Sequence, residues 1–264
     1  MVSETFGWVL LAALAFFSAA GLWFYLPLAW RIFERRDKGA VGIAWVGKVD
    51  GVIALVLAVW FAMLAFDALT ANGESVIGFR QIVGGAMIYG AIVVFIVGTL
   101  VFRGIFLAAL PGWSRQTFVR HLGRALLYLL AAYPLILLVQ MVALAFSGDA
   151  SPQDIVQFLQ KAETVRDRAA VLIMAVVVAP LAEEFIFRGY LYPVGKKYAG
   201  PFLSAVVTSA IFALMHGHAE SAPSLFVLAL CLTLSYEKSG SLLVSVLMHS
   251  VFNALSVAGI LFFL

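Results

Sequence analysis

Three short stretches of this 264-residue chain hold residue types that could hydrolyse an amide. The first is Glu183-Glu184 with Arg188, the second Phe212 with His216, the third His249 with Asn253. Each interrupts an apolar run. Ionisable groups at membrane depth are costly and normally face a protein interior or a wet cavity, so these side chains demand a purpose. Glu184 and Arg188 are four apart with the acid first, the favourable order for an ion pair on one helix face. Glu183 is rotated by about 100° from its neighbour, so it can face a cavity while Glu184 is neutralised. Pro180, three residues earlier, cannot donate a backbone hydrogen bond and should kink or loosen the helix there.

Spacing brings the three stretches to one depth. Counting from a hairpin at 198–201, Glu183 lies fifteen residues back and His216 fifteen forward. In an antiparallel helix pair both then sit about 22 Å from the turn. His249 and Asn253 share a helix face, about 12–18 Å from a turn at 240–241 by the same rise per residue. Glu183, His216, His249 and Asn253 can therefore meet in one layer.

A carboxylate beside a histidine suits the activation of water. Glu183 would take the proton as general base while His216 positions or shares the water. His249 and Asn253 would offer donors to the oxyanion formed when water attacks an amide, so peptide-bond hydrolysis is the expected chemistry. Glu183, His216 and His249 are also a zinc set, although their spacing is not that of His-Glu-x-x-His. No cofactor is the favoured reading and zinc the alternative. Phe212, four residues before His216, should pack against it. His218 and Glu220 read as outer-loop residues, with a pocket rim as the alternative for His218. His121, among Arg120 and Arg124, reads as a solvated surface residue.

The elements that must position these residues are membrane helices. The chain is 64% hydrophobic and 12% charged, against about 45–50% and about 25% in soluble domains. It reads as an all-α polytopic membrane protein, a single bundle of about eight transmembrane helices with a short amphipathic interfacial helix. The spans are expected near 7–30, 49–70, 82–110, 125–147, 168–198, 200–217, 222–237 and 241–263. Residues 1–147 form an N-terminal region of about four spans, and 168–264 the region carrying the polar residues. Between them, 148–167 reads as an external loop. There Ser151-Pro152 looks like a helix start, and Ile155, Val156, Phe158, Leu159 and Ala162 lie on one face. No basic segment precedes the first apolar run, which reads as a span rather than a signal peptide.

Charge gives the topology. Twelve of the 17 Lys/Arg fall on one set of connections and four on the other, which puts both termini outside and the basic loops in the cytoplasm. The basic excess is thus a topological signal and implies no nucleic acid. Cys231, the only cysteine, excludes an intramolecular disulfide and reads as a core residue.

Taken in order and in context, Glu183-Glu184-x-x-x-Arg188, Phe212-x-x-x-His216 and His249-x-x-x-Asn253 resemble the signature of the CPBP family. These are the CAAX-protease and bacteriocin-processing intramembrane proteases. Ala179-Pro180 and Phe187-Arg188-Gly189-Tyr190-Leu191 match the surroundings of that family's first motif, and the resemblance covers about 168–260. It implies an intramembrane endopeptidase, of glutamic type rather than a metalloprotease, with 168–264 as its catalytic core. Glu183 would be the general base, His216 a holder of the water, and His249 and Asn253 the oxyanion hole. Glu184, Arg188 and Phe212 would support them. The implied partners are a membrane protein or membrane-bound peptide substrate and the lipid bilayer. With no organellar signal in the chain, a bacterial or archaeal cell membrane is the expected location.

Two other functions fit intramembrane Glu, His and Arg. A proton-coupled transporter would favour inverted repeats with broken helices at matching positions, and the sequence shows none. A non-catalytic scaffold or chaperone would need no complete polar set.

Overall fold

A computed structural model describes residues 2–34, 40–70, 79–105, 115–147 and 164–263, and eight helices lie among these described residues. They are α1 (Val2–Glu34), α2 (Lys48–Thr70), α3 (Phe79–Phe102), α4 (Arg115–Ser147), α5 (Val165–Ala199), α6 (Pro201–Leu214), α7 (Ala222–Ser239) and α8 (Leu242–Phe263). Among the described residues there is no strand. The protein is an all-α polytopic membrane protein, and α1 to α5 and α8 are each long and apolar enough to cross a membrane. Their outward faces carry exposed Trp, Phe, Leu and Val, as expected where lipid tails replace water.

The other two expected spans are shorter. Helix α6 has 14 residues, about 21 Å at 1.5 Å per residue, against a hydrocarbon core of about 30 Å. It stops before the expected residue 217 because the chain turns at Gly217, whose φ is +67°, a backbone that favours glycine. Helix α7 has 18 residues and ends in Glu237-Lys238, before Gly240 in the left-handed region. The expected amphipathic helix falls almost wholly on 148–163, outside the described residues. Thr164 accepts a hydrogen bond from the Asp167 backbone N–H (3.1 Å) and caps the start of α5.

The two larger apolar cores draw on different helices. In one, α1 and α4 pack together and against α7 and α8, through Tyr25, Tyr128, Leu129, Leu232, Val244 and Met248. Cys231 is buried there, as expected. Gly21 lets the Ala131 carbonyl approach α1 where a Cβ would collide with it, a small-residue crossing of the membrane type. In the other, α2 and α3 cover α5 through Phe61, Ile96, Ile186, Phe187 and Leu191, with Phe212 from α6.

Helix α5 is not a uniform α-helix. Residues Met174–Val178 and Phe185–Leu191 are π-helical, and each run ends two residues before a proline, Pro180 or Pro193. A proline can neither donate to the carbonyl four residues back nor avoid crowding it. A wider turn ahead of it relieves both problems. The loosening expected at Pro180 takes this form, and π turns are frequent at functional sites. Glu183 and Glu184 occupy the short α segment between the two π runs.

Lys196, one of the basic residues at the connection after α5, is 5% exposed. Its ammonium donates to Glu237 and to the Val41 carbonyl (3.0 Å), and Tyr192 donates to the same carboxylate (2.8 Å). Glu237 at the end of α7 supplies the partner that makes burial tolerable. His121, expected to be solvated, is 6% exposed in the first turns of α4.

Candidate active site

A cavity of about 590 Å³ opens between α4, α5, α7 and α8, and its wall contains Glu183, His216, His249 and Asn253. All four expected site residues therefore face one space. Tyr89, Tyr133, Gln140, His218, Ser221 and Ser224 join them, and Ile136, Leu137, Leu144, Met174, Val257 and Ile260 form apolar walls. A second groove of about the same volume lies among Val52, Leu55, Leu191, Val194, Leu203 and Val207. It holds none of the Glu or His residues and is remote from the chemistry.

The two adjacent acids divide as their helical rotation suggests. Glu184 is fully buried, and its Oε1 accepts from Arg188 Nη1 at 2.7 Å. Arg188 also donates from Nη2 to the Ala229 carbonyl (3.0 Å) and lies 4.7 Å above the ring of Phe212. Its charge is thus satisfied by a carboxylate, a carbonyl and a π face. Glu183 faces the cavity instead. Its Oε1 accepts a hydrogen bond of 2.8 Å from the Tyr89 hydroxyl on α3, and its Oε2 lies 3.9 Å from His249 Nε2.

The histidines are oriented by their Nδ1 atoms. His216 Nδ1 lies 2.7 Å from the Phe212 carbonyl. A carbonyl can only accept, so Nδ1 carries the proton and Nε2 is left for other contacts. His216 sits just beyond the end of α6, where the Gly217 turn brings it to the cavity. His249 Nδ1 lies 3.0 Å from Glu184 Oε1. A carboxylate accepts there, and Nε2 is turned toward Glu183.

Phe212 packs where it was expected to, and further. Its ring meets His216 at 4.8 Å, His249 at 5.7 Å and Phe187 at 5.4 Å between centroids. One buried aromatic therefore spaces both imidazoles and supports Arg188. Asn253 donates from Nδ2 to the Ala175 carbonyl (2.8 Å) in the first π run of α5. That contact fixes the amide's orientation and leaves the second Nδ2 hydrogen available.

The charges of this layer nearly cancel. Glu183 and Glu184 contribute two negative charges and Arg188 one positive. Among the described residues, no three His, Cys, Asp or Glu side chains are placed to hold one metal ion.

The polar rim extends past His216. His218 Nδ1 lies 3.2 Å from Glu220 Oε2, and Gln140 Nε2 donates to the Glu220 carbonyl (3.3 Å). Ser224 in turn donates to Gln140 Oε1 (2.5 Å). His218 lines the cavity rim, the alternative to a plain loop residue. Tyr89, Tyr133 and Gln140 were not expected in the site. Gln140 did leave a signal, being an amide inside an apolar run. An isolated tyrosine in a membrane helix leaves none.

Comparison with known proteins bears on this region. Residues 166–255 match the family model described as Type II CAAX prenyl endopeptidase Rce1-like. That match agrees with the CPBP resemblance of the motifs, and it includes all seven expected site and supporting residues while leaving out Tyr89. No curated protein and no solved structure matches the chain.

Proposed function

We propose that this protein is an intramembrane endopeptidase that cleaves membrane-associated proteins or peptides by a metal-free, glutamate-based mechanism. The observation that carries the proposal is the placing of Glu183. One of its oxygens is held by Tyr89 and the other is turned to His249, in a cavity that His216 and Asn253 also line. The family model's description adds that similar proteins are endopeptidases.

In this mechanism Glu183 takes a proton from water as the water oxygen attacks the scissile carbonyl carbon. His216, with Nδ1–H engaged, offers Nε2 to the same water. Charge develops on the carbonyl oxygen, where the free Nδ2 hydrogen of Asn253 and Nε2–H of a protonated His249 donate. Collapse of the tetrahedral intermediate breaks the C–N bond, and the proton held by Glu183 passes to the leaving amine. Glu184 and Arg188 keep His249 oriented and the layer close to neutral. The apolar walls of the cavity suit a substrate segment that enters from the bilayer.

The excess of basic residues on one set of connections supports a topology with both termini outside, in a bacterial or archaeal cell membrane. A prenylated tail is one substrate the family description suggests. The broader class, a peptide bond near or within the membrane, is what the cavity supports. The test is turnover of membrane-bound peptides by the purified protein in vesicles, with and without a chelator. Cleavage that survives the chelator is expected. Cleavage lost to it and restored by zinc would overturn the metal-free mechanism, and no cleavage of any membrane peptide would overturn the protease reading.

A further inference from the structure

The site does not end with the matched region. Tyr89 lies on α3, in the N-terminal half, 94 residues before the glutamate it contacts. Its hydroxyl donates to Glu183 Oε1 at 2.8 Å, and its ring lines the same cavity as the two histidines and Asn253. Glu183 is 5% exposed, so little solvent is at hand to replace this donor. Among the described residues, the Tyr89 hydroxyl and the His249 ring are the polar groups that meet the Glu183 carboxylate.

The consequence is geometric. A glutamate side chain has three rotatable bonds and could swing toward Arg188, five residues along the same helix, or out into the cavity. A donor fixed on a different helix holds Oε1, and this leaves Oε2 as the oxygen turned to His249.

We infer that Tyr89 is a positioning residue for Glu183, so that the N-terminal helices contribute to catalysis through α3. This inference rests on the protease reading of the same cavity. Hydrogen bonds to charged groups are stronger than neutral ones, and loss of one corresponds to roughly a ten- to hundredfold change. The effect should fall on turnover, because Tyr89 acts through the base.

The experiment is the steady-state kinetics of wild type and Tyr89→Phe in vesicles, with Glu183→Gln as the inactive reference. Tyr89→Phe keeps the ring and its packing. The expected result is a kcat lower by roughly tenfold or more with KM within about twofold. A fluorinated tyrosine at position 89, which keeps the O–H donor, should hold kcat near wild type. A Tyr89→Phe enzyme with the wild-type kcat would overturn the inference while the protease reading stood. An equal loss of kcat in both variants would also overturn it, marking Tyr89 as packing only. Failure of wild type to cleave would be a failure of the protease reading itself.

Discussion

His249 presents Nδ1 to Glu184 Oε1 at 3.0 Å, and Glu184 holds Arg188 with the same oxygen at 2.7 Å. One buried carboxylate oxygen thus anchors both a cation and the imidazole that faces Glu183. The second acid of the Glu-Glu pair is therefore a support for the first, joined to it through His249.

Glu184→Gln keeps the shape of this anchor and removes its charge. Arg188 is 2% exposed, and leaving a buried charge unpaired costs about 3–5 kcal/mol. A thermal-unfolding series in detergent should show that loss. Adding Arg188→Gln should recover much of the stability without restoring turnover, because His249 still lacks its carboxylate. Full recovery of both would contradict a role for Glu184 in orienting His249.

Asn253→Asp tests the oxyanion assignment at constant shape. The carboxylate has no donor for the carbonyl oxygen, and it places a like charge in a layer that already holds two. Removal of one oxyanion donor lowers turnover by about 10²–10³. Peptide turnover should fall by at least that much, with the helices still folded by circular dichroism. A variant with more than a tenth of wild-type turnover would remove Asn253 from the mechanism.

The Lys196–Glu237 pair is predicted to matter for stability and not for chemistry. Both side chains are buried, at 3% and 0% exposure, and they tie α5 to α7 away from the cavity. Glu237→Gln alone should destabilise by about 3–5 kcal/mol by stranding the lysine. The pair Lys196→Met with Glu237→Gln should regain most of that, since the introduced amide can still accept from Tyr192. Turnover per folded molecule should stay near wild type in both. A selective loss of turnover would show that this end of the bundle communicates with the site.

What could be read from the sequence was local to a helix or a hairpin. Glu184 with Arg188, His249 with Asn253, and Phe212 with His216 follow from the helical repeat. Equal offsets from the turn near 200 brought Glu183 and His216 to one depth, and both line the cavity. Contacts between distant helices left no such trace. Tyr89 meets Glu183 across 94 residues, and Asp50 on α2 pairs with Arg103 at 2.5 Å just past α3. Nothing in the neighbourhood of Lys196 announces Glu237 as its partner. Composition and periodicity identify a membrane bundle, but they do not say which helix faces which.

The most direct measurement compares membrane proteins and released peptides from cells carrying wild type or Glu183→Gln at equal expression. The account predicts fragments that are present with wild type and absent with Glu183→Gln, a change that removes the base while keeping an acceptor for Tyr89. Identical fragment patterns in the two strains would contradict it and leave the polar layer to a scaffold or a transporter.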